Sequence, residues 1–159
     1  MTVIVCGAGA AGLMAAGTAA GYADKVILIE KNDAVGRKLR ITGKGRCNIT
    51  NARDTEDMID MYPVNGKFLY SALYTFPNDS VIALLESLGV PTKVERGGRV
   101  FPVSDDARDV VAAMRRYALK SNVSLVKARV RSLIIEDGGI KGVSTSAGRC
   151  HGEKVIICT

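Results

Sequence analysis

Residues 3–30 run V-I-V-C-G-A-G-A-A-G-L-M-A-A-G-T-A-A-G-Y-A-D-K-V-I-L-I-E. An apolar strand, a glycine turn, a small-residue helix, a second strand and a closing acid follow one another in that order. The order specifies a βαβ unit shaped to hold a dinucleotide. Gly7 permits the tight turn out of the first strand, Gly9 lets a pyrophosphate approach the backbone, and Gly12 lets the helix lie close on the strand. The helix N-terminus, with Ala10 and Ala11 in its first turn, presents unpaired N–H groups and a partial positive charge to phosphate. Glu30 ends the second strand, where a carboxylate can accept hydrogen bonds from adenosine ribose hydroxyls, with Lys31 beside it. The competing reading is a plain βαβ unit whose glycines serve packing alone.

The 159 residues, 47% hydrophobic and 24% charged, suffice for one domain with a sizeable core. The formal charge of +6 comes from basic residues grouped at 37–46, 93–99, 115–120 and 127–131. An anionic cofactor accounts for the first group. Aromatics are only 5% and there is no Trp, so no base-stacking platform is indicated and no nucleic-acid partner is expected. No apolar run approaches the ~20 residues of a membrane helix, and with the first strand beginning at residue 3 no signal peptide is expected. The expected partner is a small-molecule substrate.

Cysteines stand at 6, 47, 150 and 158, none in a C-x-x-C pair. This usage fits a reducing cytosol, with Cys6 and Cys158 as buried strand thiols, and the expected location is cytoplasmic. A single histidine, His151, is too little for a histidine-based metal site or a Ser-His-Asp triad.

Along the chain, Val3–Cys6 and Val26–Ile29 read as parallel strands joined by a helix of about ten residues. Residues 31–54 read as a long functional loop. Phe68–Tyr74 and Asp79–Leu88 read as helices, broken at Pro77-Asn78-Asp79 and closed at Gly89. Pro91–Val103 reads as a β ribbon turning at Gly97-Gly98. Ser104 or Asp105 is expected to cap a helix over 107–120 with Val110, Val111, Met114 and Leu119 on its apolar face. Ser124–Lys127, Val130–Ile135, Ile140–Thr145 and Lys154–Cys158 read as strands, with a turn at Asp137-Gly138-Gly139.

The stretch Val35–Asn51, V-G-R-K-L-R-I-T-G-K-G-R-C-N-I-T-N, narrows the cofactor. Nicotinamide-binding domains usually pass from the ribose acid into the next helix. Domains for flavin adenine dinucleotide (FAD) often place a second glycine-rich loop here. Backbone N–H groups at Gly43 and Gly45 suit phosphate, and Arg37, Lys38 or Arg46 can balance its charge. The phosphate loop G-x-x-x-x-G-K-[ST] fails, because Gly43-Lys44 is followed by Gly45. A dithiol relay fails too, because no second cysteine follows Cys47. That residue either contacts flavin or is a small loop residue.

Residues 36–51, G-R-K-L-R-I-T-G-K-G-R-C-N-I-T-N, resemble the signature of the BaiN/RdsA-type NAD(P)/FAD-dependent oxidoreductases, a family of bacterial flavoproteins. Gly98–Ser104, G-R-V-F-P-V-S, resembles a second family segment. Val155–Thr159 resembles the strand leading into the family's A-T-G-G turn, with Cys158 where Ala is usual. The resemblance spans essentially the whole chain. It implies FAD in the amino-terminal cradle; Val130 either meets adenine through its backbone or is plain strand core, and NAD(P)H is a candidate electron donor. It also implies a truncated chain, since family members run to roughly twice this length or more and add a second domain.

Residues 1–159 are therefore read as one α/β FAD-binding domain of Rossmann type, with a parallel sheet and a β meander. The expected chemistry is hydride transfer through flavin N5, with the substrate open and this chain alone inactive. A nucleotide-binding module without turnover and an RNA-modifying flavoprotein are the alternatives. Thr42 and Asn48 either reach polar flavin atoms or stabilise their own loop. Arg99, Asp105 and Asp106 read as turn and helix-start residues, and Tyr62, Tyr70 and Tyr74 as packing residues. No catalytic acid or base is named, since flavin carries the redox chemistry itself.

Overall fold

The computed structural model describes all residues from Met1 to Thr159. Its first elements are β1 (Thr2–Cys6), α1 (Ala10–Ala19), β2 (Lys25–Glu30), α2 (Arg37–Ile41), β3 (Thr50–Asn51), α3 (Thr55–Asp60) and α4 (Tyr70–Thr75). Next come α5 (Asn78–Ser87), β4 (Thr92–Glu95), β5 (Arg99–Pro102), α6 (Ala107–Ala118), β6 (Val123–Lys127), β7 (Val130–Glu136), β8 (Gly139–Thr145), β9 (Gly148–His151) and β10 (Lys154–Ile157). The chain divides into two compact units, Met1–Leu39 with Met114–Thr159, and Arg40–Ala113. No helix is long and apolar enough to cross a membrane.

The first unit is a four-stranded parallel sheet in the order β10-β1-β2-β6. The central strands β1 and β2 read as near-continuous apolar runs because both their faces are covered, whereas Leu125 of β6 and Ile156 and Ile157 of β10 are exposed. Ile4, Val5, Val26 and Leu28 are fully buried, each contributing about 1.5–3 kcal/mol of apolar burial. One face carries Ile4, Cys6 and Ile29, which pack with Val143, Val130 and Cys150 of an antiparallel meander, β7-β8-β9. Helix α1 packs on β1 and β2 with Leu13 and Ala16 wholly buried. Tyr117 lies against Gly17 of α1 so closely that a side chain there would strike its ring, and its hydroxyl meets Thr18 Oγ1 at 3.1 Å.

The second unit holds a small antiparallel sheet, β3-β5-β4, with α5 against β3 and β4. Val100, Phe101 and Cys47 are among its fully enclosed side chains. Asn78 is buried yet satisfied: its Nδ2 donates to the carbonyls of Asn51 at 2.7 Å and Arg53 at 2.8 Å.

The Rossmann-type parallel sheet and the meander agree with the sequence reading. Several local expectations need correction. Residues 31–54 are not one loop, since α2, a 3-10 turn at Thr42–Gly45 and β3 fall inside them. Helix α3 is an element the sequence expectation lacks; Asp54 precedes it and Glu56 and Asp57 lie in its first turn, where acids suit the helix dipole. Strand β9, G-R-C-H, has no β-branched residue to announce it. Helix α6 is capped by neither Ser104 nor Asp105. Asp105 has a left-handed φ of 55°, and it is Asp106 Oδ1 that accepts the Arg108 N–H at 2.8 Å. The helix ends at Ala118, so Leu119 lies beyond it. Tyr62, Tyr70 and Tyr74 are exposed instead of packed, with Tyr70 and Tyr74 stacked on each other at 4.4 Å between centroids.

Candidate dinucleotide site

The site starts where β1 ends. Gly7 turns the chain with φ of 100°, which L side chains rarely adopt, and its N–H donates to the Ile29 carbonyl at 2.7 Å. A Cβ on Gly7 would lie 2.8 Å from the Cys158 carbonyl oxygen. A Cβ on Gly12 would lie 2.8 Å from the Gly7 carbonyl carbon and closer still to its oxygen. Gly9 differs from both. It has an ordinary φ of −78° and nothing within 4 Å of where its Cβ would sit. No protein atom requires glycine there, and the space beside it belongs to a cleft.

The first helical hydrogen bond of α1 runs from Leu13 N to Gly9 O at 2.9 Å, so the N–H groups of Ala10, Ala11 and Gly12 have no carbonyl one turn back. Ala10 and Ala11 are exposed. The cleft, of about 290 Å³, lies wholly in the first unit and is lined by Gly7, Gly9, Glu30, Lys31, Arg37, Lys38 and Val130 among others. Ala8, Asn32, Ala128, Arg129 and Cys158 also line it, none of them expected from sequence as a cofactor ligand. Cys158 is thus only partly buried, not an enclosed strand thiol.

Glu30 is held by protein donors. Its Oε2 accepts the Ala8 N–H at 2.8 Å, and its Oε1 accepts both the Asn32 backbone N–H at 2.9 Å and the Asn32 side-chain amide at 2.7 Å. Burial alone would push this carboxyl up. The donors from Asn32, Ala8 and Lys31 outweigh it and hold the group below the usual carboxylate range. Each carboxylate oxygen has about two acceptor sites, so Oε2 keeps capacity for a hydroxyl.

Val130 sits on the edge strand of the meander. Ser146 N donates to Arg129 O at 2.9 Å, which makes Arg129 and Ser146 a hydrogen-bonded rung. The adjoining pair, Val130 and Thr145, is then the rung without hydrogen bonds, and the Val130 N–H and C=O point away from β8. A donor and an acceptor side by side on a cleft wall suit the edge of a purine.

The remaining expected ligands lie in the second unit, in a turn where several left-handed residues flank Arg46, whose φ is −91°. Gly43 and Lys44 have φ of 56° and 59°, and a Cβ on Gly43 would lie 2.8 Å from the Phe101 ring. Gly45 has φ of 88° and Cys47 φ of 64°. Cys47 is fully buried; burial pushes its thiol up, and a hydrogen bond with Thr42 opposes this in part. Asn48 is exposed. Arg46 is committed elsewhere. Its Nη1 donates to Glu95 Oε1 at 2.8 Å and Asp105 Oδ1 at 3.3 Å, and its guanidinium lies 4.0 Å over the Phe101 ring. Its charge thus faces two carboxylates of its own unit. No group of three His, Cys, Asp or Glu residues is placed to hold a metal.

The chain is similar to known proteins in sequence and in fold. The chain is 29% identical over 157 residues to a 3-dehydro-bile acid delta(4,6)-reductase of Clostridium scindens, covering 96% of this chain and 37% of the relative. It is 29% identical over 161 residues to a ribosomal RNA dihydrouridine synthase of Escherichia coli, covering 98% of this chain and 38% of the relative. The chain thus spans less than two-fifths of the length of these relatives. Among solved structures, Thermovibrio ammonificans THI4 superposes with a TM-score of 0.64 at 13% identity, covering 99% of this chain and 57% of that one, a likeness of fold. The profile of the HI0933-like protein Rossmann domain matches residues 1–159, and the chain belongs to that family.

Proposed function

We propose that this chain binds FAD through the first-unit cleft and serves an oxidoreductase that reduces its substrate. The observation that carries the reading is Gly9. A glycine with ordinary φ and an empty surround faces a cleft, so the smallness required there serves a ligand that comes close to the backbone. The other groups fit FAD. The first turn of α1 presents N–H groups to the pyrophosphate, with Arg37 and Lys38 on the cleft wall. Glu30 Oε2 accepts from the adenosine ribose, and the Val130 peptide edge meets adenine. When bound, FAD supplies hydride chemistry at its isoalloxazine ring, while the chain supplies position and electrostatics.

Reduction is favoured because one relative is named a reductase and the other a dihydrouridine synthase. Reduced NAD(P)H is the donor we assign. The synthase relative and the charge of +6 favour a second reading, in which the substrate is an RNA base. Denaturing the purified protein and identifying the released nucleotide by chromatography tests the cofactor. Recovery of FAD supports the reading, and recovery of only NAD or FMN overturns it. Bleaching of the flavin band by NADPH under anaerobic conditions tests the donor.

A further inference from the structure

We propose that Asn32 is a positioning residue for the ribose-binding carboxylate, its side-chain amide wedged between Arg37 and Glu30 so that Glu30 Oε2 is the oxygen left for the ribose. This inference rests on the FAD reading above. Asn32 Nδ2 donates to Glu30 Oε1 at 2.7 Å, and Asn32 Oδ1 accepts from Arg37 Nη1 at 3.0 Å. The two partners fix the orientation of the amide, because a carboxylate only accepts and a guanidinium only donates. A primary amide is suited to this place because it donates on one side and accepts on the other.

The consequence lies in how the Glu30 acceptors are divided. Oε1 takes two hydrogen bonds from Asn32 and Oε2 one from Ala8, with the Lys31 backbone N–H adding a smaller contribution to the same carboxylate. Asn32 therefore occupies one oxygen and pins the rotamer that offers the other. Through its Oδ1 it also steadies Arg37, which lines the same cleft. One amide thus links the carboxylate meant for the ribose to a cation on the phosphate side.

Other charged groups surround this pair. Lys31 and Lys38 line the cleft from the β2–α2 side, and Arg129 from the residue just before β7. Asp33 is paired with Lys127 of β6, which holds its carboxyl below the usual range. From β10, Cys158 lines the cleft as a thiol that burial pushes up.

The substitution Asn32→Asp replaces the donor facing Oε1 by a second carboxylate. Two adjacent carboxylates share a proton at low pH and repel when both ionise. FAD affinity, followed by quenching of flavin fluorescence in the purified protein, should be flat between pH 5.5 and 8 for the unaltered chain. For Asn32→Asp it should lie near the unaltered value at pH 5.5 and fall by about tenfold toward pH 8. A residue that merely supports the loop would lower affinity without that pH signature, so parallel pH curves overturn the proposal. Asn32→Ala keeps the backbone donor and removes the amide, and should lose about fivefold in affinity at every pH. Should Asn32→Asp fail to fold by thermal melting, the alanine variant decides, and unchanged affinity there overturns the proposal. Absence of FAD binding in the unaltered chain sinks the cofactor reading itself, an outcome distinct from either variant result.

Discussion

The carbonyl of Gly7 occupies the space that any side chain on Gly12 would need, with 2.8 Å between the Gly7 carbonyl carbon and a Cβ built on Gly12. This contact locks the first turn of α1 onto the end of β1. Gly12→Ala should therefore cost at least about 3 kcal/mol of stability or prevent folding, because a backbone atom has no rotamer to escape into. Gly9→Ala meets no protein atom within 4 Å and should melt within a degree or two of the unaltered chain. Its loss should appear in FAD affinity instead. Thermal melting and flavin titration of the two variants separate these effects. A Gly9→Ala protein that binds FAD normally would place the pyrophosphate elsewhere.

Glu30 has a structural task as well as the proposed binding task, and the variants should reflect both. Glu30→Ala should weaken FAD binding by roughly 1–3 kcal/mol, the scale of charge-assisted hydrogen bonds. Glu30→Gln should recover little of it. Both oxygens receive N–H donors, so one position of a glutamine amide would turn an NH2 toward Ala8 or Asn32. The pH dependence follows from the lowered carboxyl. A group held below its unfolded value stabilises fully above that value, about 4.3 for Glu, and the stabilisation is lost as pH falls through the folded value. The Tm curves of the unaltered chain and Glu30→Ala should therefore differ at pH 7 and converge as pH falls below about 4. Parallel curves across the acid range would remove Glu30 from the account of stability.

What was legible in the sequence had a local physical cause. The G-A-G-A-A-G turn, the apolar strands and Glu30 were readable because turn geometry and buried parallel strands leave direct marks in residue type. Asn32 was not readable from its residue type alone, though an Asn two residues past an acid can bond back to it. The commitment of Arg46 to Glu95 and Asp105 was invisible, because those partners lie 49 and 59 residues away. The exposure of Tyr62, Tyr70 and Tyr74 was misread for a related reason. An apolar neighbourhood in sequence does not say which side chains find a cover in space.

Thiol accessibility gives a third prediction. Cys47 is fully buried with its thiol pushed up by burial, so little thiolate forms there near pH 8. Iodoacetamide should leave Cys47 unlabelled in the folded protein while Cys158, on the cleft wall, reacts slowly. Added FAD should protect Cys158. Peptide mapping by mass spectrometry reads all of this, and early labelling of Cys47 would restore a reactive role for that thiol.

The last prediction concerns the cluster around Arg46. Arg46 and Lys93 face Glu95 and Asp105, with Arg46 Nη1 2.8 Å from Glu95 Oε1 and Lys93 Nζ 2.6 Å from Asp105 Oδ2. The carboxylate of Asp105 is held below its usual range, first by the Lys93 hydrogen bond and then by Arg46. Arg46 also stacks on Phe101, which in turn closes against Gly43. The turn at 43–47 is thus buttressed through one ring and one guanidinium. Arg46→Ala and Glu95→Ala should each lower Tm, and the double variant should lower it by less than the two together, since each single change already breaks the shared contact. Arg46→Lys should recover only part of the loss, because an ammonium lacks the planar face that lies on Phe101. High salt should shrink the difference between Arg46→Ala and the unaltered chain, as these side chains are partly open to solvent. Strict additivity of the two alanine changes would mean that Arg46 and Glu95 act independently.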